Sequence, residues 1–296
     1  MADGPDLIAL TRQLEELNRI GAALSAERET RRLLELILTK ARAITWSDAG
    51  SLYVVESAPV DESPDLRQPP TEQPDGQRRM RFTVAQNDSV SLPFRESFLD
   101  ITEQSIAGYV ALTGETVMLD DAYESPAKVP YVFNRSFDEA AGYRTRSMLA
   151  VPMRTPKGQV LGVIQLINAM RDGQVVPYSA SQSALLVSLA SQAAVALENS
   201  QLYTEIQELF EGFVRASVGA IESRDPATSG HSFRVANLTV ALAEAVDRID
   251  SGSLAKVKFS REDLRTIRYA SLLHDFGKVG VREEILVKAK KLHPAQ

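Results

Sequence analysis

Apolar residues recur at spacings of three and four along the first part of the chain, and this pattern predicts an amphipathic helix over residues 6–45. The series opens with Leu7, Leu10 and Leu14, and a bend is expected between Ala22 and Ser25. A leucine stripe of this kind is typical of a helix that packs on a core or on a partner helix.

The middle of the chain changes to short apolar runs rich in β-branched residues, which predict strands. A helix is expected at Ser105 to Gly114, and turn residues occupy Thr155 to Gly158. Helices around an antiparallel sheet indicate an α+β fold. The predicted strands cover residues 50–56, 80–84, 115–119, 146–151 and 160–167, and a polar, proline-rich segment at 57–79 is predicted to be a flexible surface insertion.

No proline or turn cluster interrupts residues 179–223, so one long helix is predicted there. The helix carries a narrow apolar seam with a 4-3-4-3-4 spacing, made of Leu202, Ile206, Leu209, Phe213, Ala216 and Ala220. The spacing is compatible with a parallel two-stranded coiled coil, and hence with a parallel homodimer. The alternative is a long core helix of a monomer.

The remainder of the chain is predicted to be helical, with helices at 233–246 and 260–274 and a loop at 248–258. Two histidines lie in this region within longer polar and glycine-containing segments. His231 follows Gly230, and His274 is followed directly by Asp275 at the end of the second helix.

Composition narrows the classes of function. The 296 residues carry a net charge of −6 and no cysteine, which excludes disulfides, thiol nucleophiles and a covalently attached bilin and gives no indication of nucleic acid as a partner. Neither a signal peptide nor a run of about 18 apolar residues is present, so no membrane partner and a soluble, cytoplasmic protein are expected.

A histidine beside an aspartate offers a nitrogen and an oxygen donor, a mixture that suits iron or manganese. We expect His274 and Asp275 to project from the end of a buried helix, where water can be excluded, and Lys278 to be suited to a phosphate oxygen. A bound divalent metal at such a site would activate water for attack on phosphorus. Read alone, the His-Asp pair is more typical of a solvated helix end than of a metal site.

The segments Glu222 to Val235 and Leu272 to Leu286 together resemble the HD superfamily of phosphohydrolases, and specifically its HD-GYP subgroup. The resemblance implies that His231, His274 and Asp275 are metal ligands, that Asp275 and Lys278 are catalytic, and that cyclic di-GMP, a cyclic dinucleotide, is the substrate. Two or three metals, commonly iron or manganese, are implied. The subgroup needs further ligands downstream of Gln296, so an incomplete metal site and a C-terminally truncated domain are expected.

Residues 28–198 resemble a GAF domain, a small-molecule sensor. The resemblance rests on Ile106 to Asp121, on Phe137 to Pro152 and on Gly162 to Asn168. No histidine lies in this half, so a histidine-ligated haem is not expected. The ligand is unknown, and a cyclic nucleotide remains one candidate. A possible sensor pocket consists of Asp120, Asp121, Thr145 and Arg146, although these residues could equally cap helices and satisfy strand ends.

The expected organisation is an N-terminal helix at 1–27, the sensor domain at 28–198, a linker helix at 179–222 and the HD-like domain at 213–296. The leading hypothesis is a GAF sensor that regulates a metal-dependent phosphodiesterase. The alternatives are a non-catalytic sensing or dimerisation module with a degenerate or truncated HD domain, and an HD hydrolase for another nucleotide.

Overall fold

The structure is a computed structural model that describes residues 4–57, 78–90, 96–124, 126, 128–223 and 230–282, with the backbone alone for residues 4–14. The chain divides into two compact units, Met1–Tyr203 and Thr204–Gln296. The helices are α1 Gly4–Ala26, α2 Thr30–Thr45, α3 Ile106–Thr113, α4 Ser136–Ala141, α5 Ala180–Glu222, α6 His231–Asp247 and α7 Arg261–Leu272, followed by a 3-10 helix at Phe276–Gly280.

The first unit contains a seven-stranded sheet in the order β3-β2-β1-β6-β5-β4, with β7 paired to β6. Every pairing is antiparallel, which confirms the predicted α+β fold class. The strands are β1 Ser47–Ser57, β2 Arg78–Asn87, β3 Ser97–Asp100, β4 Val117–Leu119, β5 Met148–Arg154, β6 Val160–Arg171 and β7 Gln174–Val176.

Successive side chains of a strand point to opposite faces of the sheet, and here side chains on both faces are buried. In β5, Leu149 and Val151 join a cluster with α1, α2 and α5, whereas Met148 and Ala150 join a second cluster with α3 and β4. This two-sided burial explains why β5 and β6 read as almost continuous apolar runs.

The break in the N-terminal helical region lies later than predicted. The structure places it at residues 27–29 between α1 and α2, so the expected bend between Ala22 and Ser25 is wrong. The Glu27 carboxylate accepts hydrogen bonds from the backbone N–H groups of Arg28 and Glu29, both at 2.9 Å. Local side-chain bonds of this kind compete with the helical bonds, and Glu29, the N-cap residue that precedes α2, has an extended conformation.

The other predicted elements are present, with shifted ends. The short strands β3 and β7 and the helix α4 were not predicted, and α7 ends at Leu272 rather than at His274 and Asp275. Most of the predicted insertion at 57–79 lies outside the described residues.

The long helix α5 has two different environments along its length. In its first half, Leu186, Leu189 and Leu197 are buried in the core on one face of the sheet. In its second half, the large apolar residues of the predicted seam are exposed, from Leu202 at 48% to Leu209 at 75%. Among the described residues, α5 is also the one helix long and apolar enough to cross a membrane by length and composition, with 39% of its most apolar window buried. Core packing already accounts for much of that apolar character.

The second unit has a small core of Val214, Val218, Ala236 and Leu272, contributed by α5, α6 and α7. Leu272 is the one buried residue of α7. The expectation that the His-Asp pair follows a buried helix is therefore wrong for the described residues, because most of α7 is open to solvent.

Gly162 in β6 provides a test of the sheet packing. A Cβ atom there would lie 2.3 Å from the Tyr53 carbonyl oxygen and 2.4 Å from the Met153 side chain. Because the Tyr53 contact is backbone in the neighbouring strand, we expect Gly162→Ala to lower the free energy of unfolding of this unit by about 1–3 kcal/mol. Urea unfolding measures the change.

Gly212→Ala is the matched control, since a Cβ atom at this position in α5 would have no neighbour within 4 Å. We expect it to stabilise the helix by about 0.5–1 kcal/mol. A Gly162→Ala variant as stable as the parent would show that β1 and β6 do not approach as closely as described.

Candidate metal centre and sensor face

Three potential metal donors converge in the second unit. The side chains of His231, His274 and Asp275 offer donor atoms that all lie within 4.8 Å of one another. His231 is the first residue of α6, while His274 and Asp275 follow the end of α7. The structure thus brings together the three residues that the sequence singled out from distant segments.

The hydrogen bond of His274 fixes which ring nitrogen is free. Its Nδ1 lies 2.8 Å from the carbonyl oxygen of Ser271, which can only accept a hydrogen bond. Nδ1 therefore carries the proton, and the lone pair is on Nε2, which lies 3.5 Å from Asp275 Oδ2. A metal-binding histidine typically has this arrangement, with its second nitrogen donating to a carbonyl or carboxylate.

Asp275 is held by Lys278 one turn further along the chain. The Lys278 Nζ atom lies 2.6 Å from Asp275 Oδ2, and this bond is the main reason why the pKa of Asp275 is lowered. The neighbouring side chains of His274 and His231 contribute in the same direction, while partial burial opposes it. The carboxylate is therefore kept ionised, which is the form that binds a cation.

The start of α6 is held by a carboxylate from the end of α5. Glu222 accepts hydrogen bonds from the backbone N–H groups of Gly230, at 2.7 Å, and Ser232, at 3.1 Å. Burial alone would raise the pKa of Glu222, but these bonds outweigh it and lower the pKa. The role of Glu222 was not predicted from the sequence; an acidic residue shortly before a Gly-His helix start is the signal that could have identified it.

The donor set fits a divalent cation. Metal–ligand bonds of about 2.0–2.2 Å place any two donors no more than about 4.4 Å apart, so donors that lie within 4.8 Å of one another must close in around a bound ion. Two imidazoles and one carboxylate, with the second nitrogen of one imidazole already bonded to a carbonyl, form a chemically suitable group. The side chains of His274 and Asp275 are 36% and 26% exposed, so the described residues leave the cluster accessible to solvent.

In the first unit, Thr145 belongs to a buried polar cluster. The Asp138 carboxylate, which is 2% exposed, accepts bonds from the Thr145 amide at 2.7 Å, the Thr145 hydroxyl at 2.8 Å and the Tyr123 hydroxyl at 3.0 Å. Asp138 thereby fixes the segment that leads into β5. Asp138 lies within the segment from Phe137 to Pro152 that resembles a GAF domain, but its role was not predicted from the sequence.

Asp121 is engaged in a neighbouring ion pair. Both of its oxygens accept bonds from Arg144, at 2.8 and 3.0 Å. The same guanidinium lies 3.5 Å from the centroid of the Tyr123 ring, and that of Arg135 lies 4.2 Å from it. Two cations on one aromatic ring stabilise this loop region through cation–π attraction.

The other two predicted pocket residues are exposed. Asp120 follows β4, and the side chain of Arg146 points away from the core. The backbone of Arg146 is held on both sides, because its N–H donates to Asn168 Oδ1 at 2.7 Å and its carbonyl accepts from Ala122 at 2.7 Å. The four residues are therefore near one another along this edge, but two of them are already bonded within the protein.

Comparison with protein families gives two matches. The family described as "GAF domain" matches residues 29–197, and the family described as "HD domain" matches residues 228–295. The second match contains all three donors of the cluster.

Two curated relatives are similar over part of their length. The chain is 27% identical to the dual 3',5'-cyclic-AMP and -GMP phosphodiesterase 11 of Drosophila melanogaster over 80% of this chain and 16% of that protein. It is 30% identical to the dual 3',5'-cyclic-AMP and -GMP phosphodiesterase 11A of Takifugu rubripes over 36% of this chain and 11% of that protein. The chain thus spans less than a fifth of the length of these relatives.

Among solved structures, the GAF domain of an Acinetobacter phosphoenolpyruvate-protein phosphotransferase is similar. It is 18% identical, with a TM-score of 0.45, and the alignment covers 66% of this chain and 98% of that one.

Asp138 provides a test of the buried polar cluster. Asp138→Ala leaves the amide and hydroxyl of Thr145 without their acceptor, and we expect it to lower the free energy of unfolding by about 2–4 kcal/mol. Asp138→Asn should cost much less, because its amide oxygen can still accept while its NH2 group donates to the Thr145 hydroxyl. Urea unfolding of both variants checks the difference, and equal stability of the alanine variant and the parent would contradict it.

Proposed function

The chain belongs to the GAF domain family, and from this domain and the HD domain that follows it we propose a signalling protein in which the GAF domain regulates a metal-dependent phosphohydrolase. The observation that carries the proposal is the convergence of His231, His274 and Asp275 within the HD match. The cluster and the domain order together support hydrolysis of a phosphate ester controlled by a sensor.

The HD domain implies a divalent metal, and we propose that these three residues hold it. Iron or manganese suits a mixture of imidazole nitrogen and carboxylate oxygen donors. The bound metal would supply a water of lowered pKa and would polarise a phosphoryl oxygen. Since the cluster provides three donors, the remaining coordination positions are available for water, substrate or other ligands.

Lys278 is proposed to bind the substrate phosphate. In the structure its ammonium group neutralises Asp275, so the two charges form a pair at 2.6 Å. A cation that binds Asp275 would compete with that pair, and Lys278 could then turn towards a phosphate oxygen on its flexible stem. The same residue would therefore hold the carboxylate in place before the metal binds and bind the substrate afterwards.

Cyclic di-GMP is the proposed substrate, on the basis of the HD-GYP resemblance of residues 222–235 and 272–286. The curated relatives are named for cyclic AMP and cyclic GMP, which are also cyclic phosphodiesters. Both comparisons support a phosphodiester as the substrate class, and a substrate panel decides between a cyclic dinucleotide and a cyclic mononucleotide.

We propose that the GAF domain binds a small molecule, with a cyclic nucleotide among the candidates. Asp120 and Arg146 are exposed polar residues of the proposed pocket. Asp121 and Thr145 would shape that pocket through their bonds to Arg144 and Asp138. Soluble domains of these two types also support the expectation of a cytoplasmic protein.

A parallel homodimer is proposed to form along the second half of α5. Ile206, Leu209 and Phe213 are between 60% and 75% exposed, although they are large apolar side chains at coiled-coil spacing. The opposite face of the same helix is occupied by the packing of Val214 and Val218. A second copy of the chain would bury the exposed stripe by symmetric helix pairing.

A non-catalytic sensing and dimerisation module is the second candidate. It is favoured by the same exposed stripe on α5 and by the accessibility of a cluster with three donors. The two candidates differ in metal content and turnover.

Metal loading with hydrolysis assays separates them. For the regulated phosphohydrolase, we expect binding of Mn²⁺ or Fe²⁺ under anaerobic conditions and faster hydrolysis of cyclic di-GMP than of cyclic GMP or cyclic AMP, at a rate limited by the incomplete metal site that the sequence predicts. His274→Ala removes a direct metal ligand. It should weaken metal binding more than the loss of an outer-shell partner does, which typically costs about 10–100-fold.

Lys278→Met should bind the metal at least as tightly as the parent, because a nearby positive charge is removed, but it should lose turnover. Calorimetry and product analysis measure these effects.

Asp250→Asn is the matched control for the loss of a charge. Asp250 lies in the same unit, and its side chain is 94% exposed. It should retain full metal binding. A parent protein with neither bound metal nor turnover would support the non-catalytic module instead.

The dimer is tested by Leu209→Lys, which places a charge at the centre of the stripe. We expect the parent to have the mass of a dimer and the variant to have the mass of a monomer in analytical ultracentrifugation, because the symmetric lysines would repel each other. Leu238→Lys is the control, since Leu238 is a leucine of similar exposure, 72%, on α6. Equal masses for all three proteins would contradict pairing through α5.

A further inference from the structure

The N-terminus of α6 lacks a cap from its own sequence. Its N-cap residue is Gly230, which has no side chain and adopts a left-handed conformation with φ 67°. The first N–H groups of a helix have no partner within the helix and need one from elsewhere. Here the Glu222 carboxylate provides it, with bonds of 2.7 Å to Gly230 and 3.1 Å to Ser232.

These bonds enclose the first metal-donor residue. Gly230 and Ser232 are the two neighbours of His231 in the chain, and Ser232 is itself buried at 4% exposure. A side chain that binds the backbone on both sides of His231 fixes the position and direction of its Cα–Cβ bond. The placement of the imidazole therefore depends on Glu222.

Glu222 is also the last residue of α5, the helix that continues from the GAF domain. The same end of α5 contacts α7, since Val214 and Val218 pack in one cluster with Leu272, which lies two residues before His274. On the exposed side, the Phe210 ring packs edge-on against Tyr269 at 5.0 Å. One helix end thus supports both segments that carry the donors.

We propose that Glu222 is a positioning residue that sets His231 against His274 and Asp275, so that a displacement of the end of α5 changes the metal affinity of the cluster. The inference rests on the proposed metal site. Glu222 would then be the contact through which α5 acts on that site. A helix that shifts or rotates by a fraction of a turn would carry Glu222 with it, and His231 would follow through two backbone hydrogen bonds.

The test compares Glu222→Gln with the parent in the full chain. The glutamine keeps the size of the side chain, but its NH2 group faces one of the two backbone N–H donors, so one bond is lost. We expect Mn²⁺ affinity, measured by calorimetry well below the unfolding temperature, to fall by about 10-fold, as for other outer-shell partners. Hydrogen exchange of the Gly230 or the Ser232 amide, whichever loses its acceptor, should become faster while the melting temperature changes little.

Glu208→Gln is the matched control, because Glu208 is an exposed glutamate on the same helix. It should leave the Mn²⁺ affinity and the exchange of both amides unchanged. Glu222→Asp keeps the charge on a shorter side chain, so it should restore part of the affinity, and it serves as the second variant if Glu222→Gln unfolds.

The outcomes separate this inference from the proposed function. If the parent binds no Mn²⁺, the proposed metal site fails, and the exchange rates still report whether Glu222 holds the start of α6. If the parent binds Mn²⁺ and Glu222→Gln binds it equally tightly, the positioning role is overturned. The same conclusion follows if Glu208→Gln weakens binding as much as Glu222→Gln does.

Discussion

The donor cluster depends on one packing constraint, which is the contact of the end of α5 with both α6 and α7. Val214 and Val218 share a small core with Ala236 and Leu272, and this core brings the start of α6 close to the end of α7. Without it, His231 would have no fixed distance to His274 and Asp275. Burial of four apolar side chains is thus the physical basis of a polar site.

The same helix takes part in the sensor domain, where its first half is buried against one face of the antiparallel sheet. In the proposed regulation, a change in that core acts on the donor cluster along α5, and Glu222 is the last contact of that helix. Such regulation needs two arrangements of α5 with different ligand affinity, because a ligand shifts an equilibrium only by its differential binding. In the proposed dimer, a second copy of the chain would cover the exposed stripe around Leu209. That copy would provide the surface against which α5 rearranges.

The sequence predicted the regular elements well, because periodicity records which faces are buried. It missed the break at residues 27–29, where the Glu27 side chain replaces helical bonds, and the short strands β3 and β7, which are too short to show a period. The roles of Asp138 and Glu222 depend on partners that only the fold brings together. Chain spacing alone could not predict the approach of His231 to His274; the family resemblance suggested it.

We propose above all that His231, His274 and Asp275 bind one cation. Electron spin echo spectroscopy of the Mn²⁺-loaded chain, with ¹⁵N-labelled histidine, tests it most directly by counting the imidazole nitrogens bonded to the metal. The account predicts coupling to two histidine nitrogens in the parent and to one in His231→Ala. A spectrum without histidine coupling, as for Mn²⁺ surrounded by water and surface carboxylates, would contradict it.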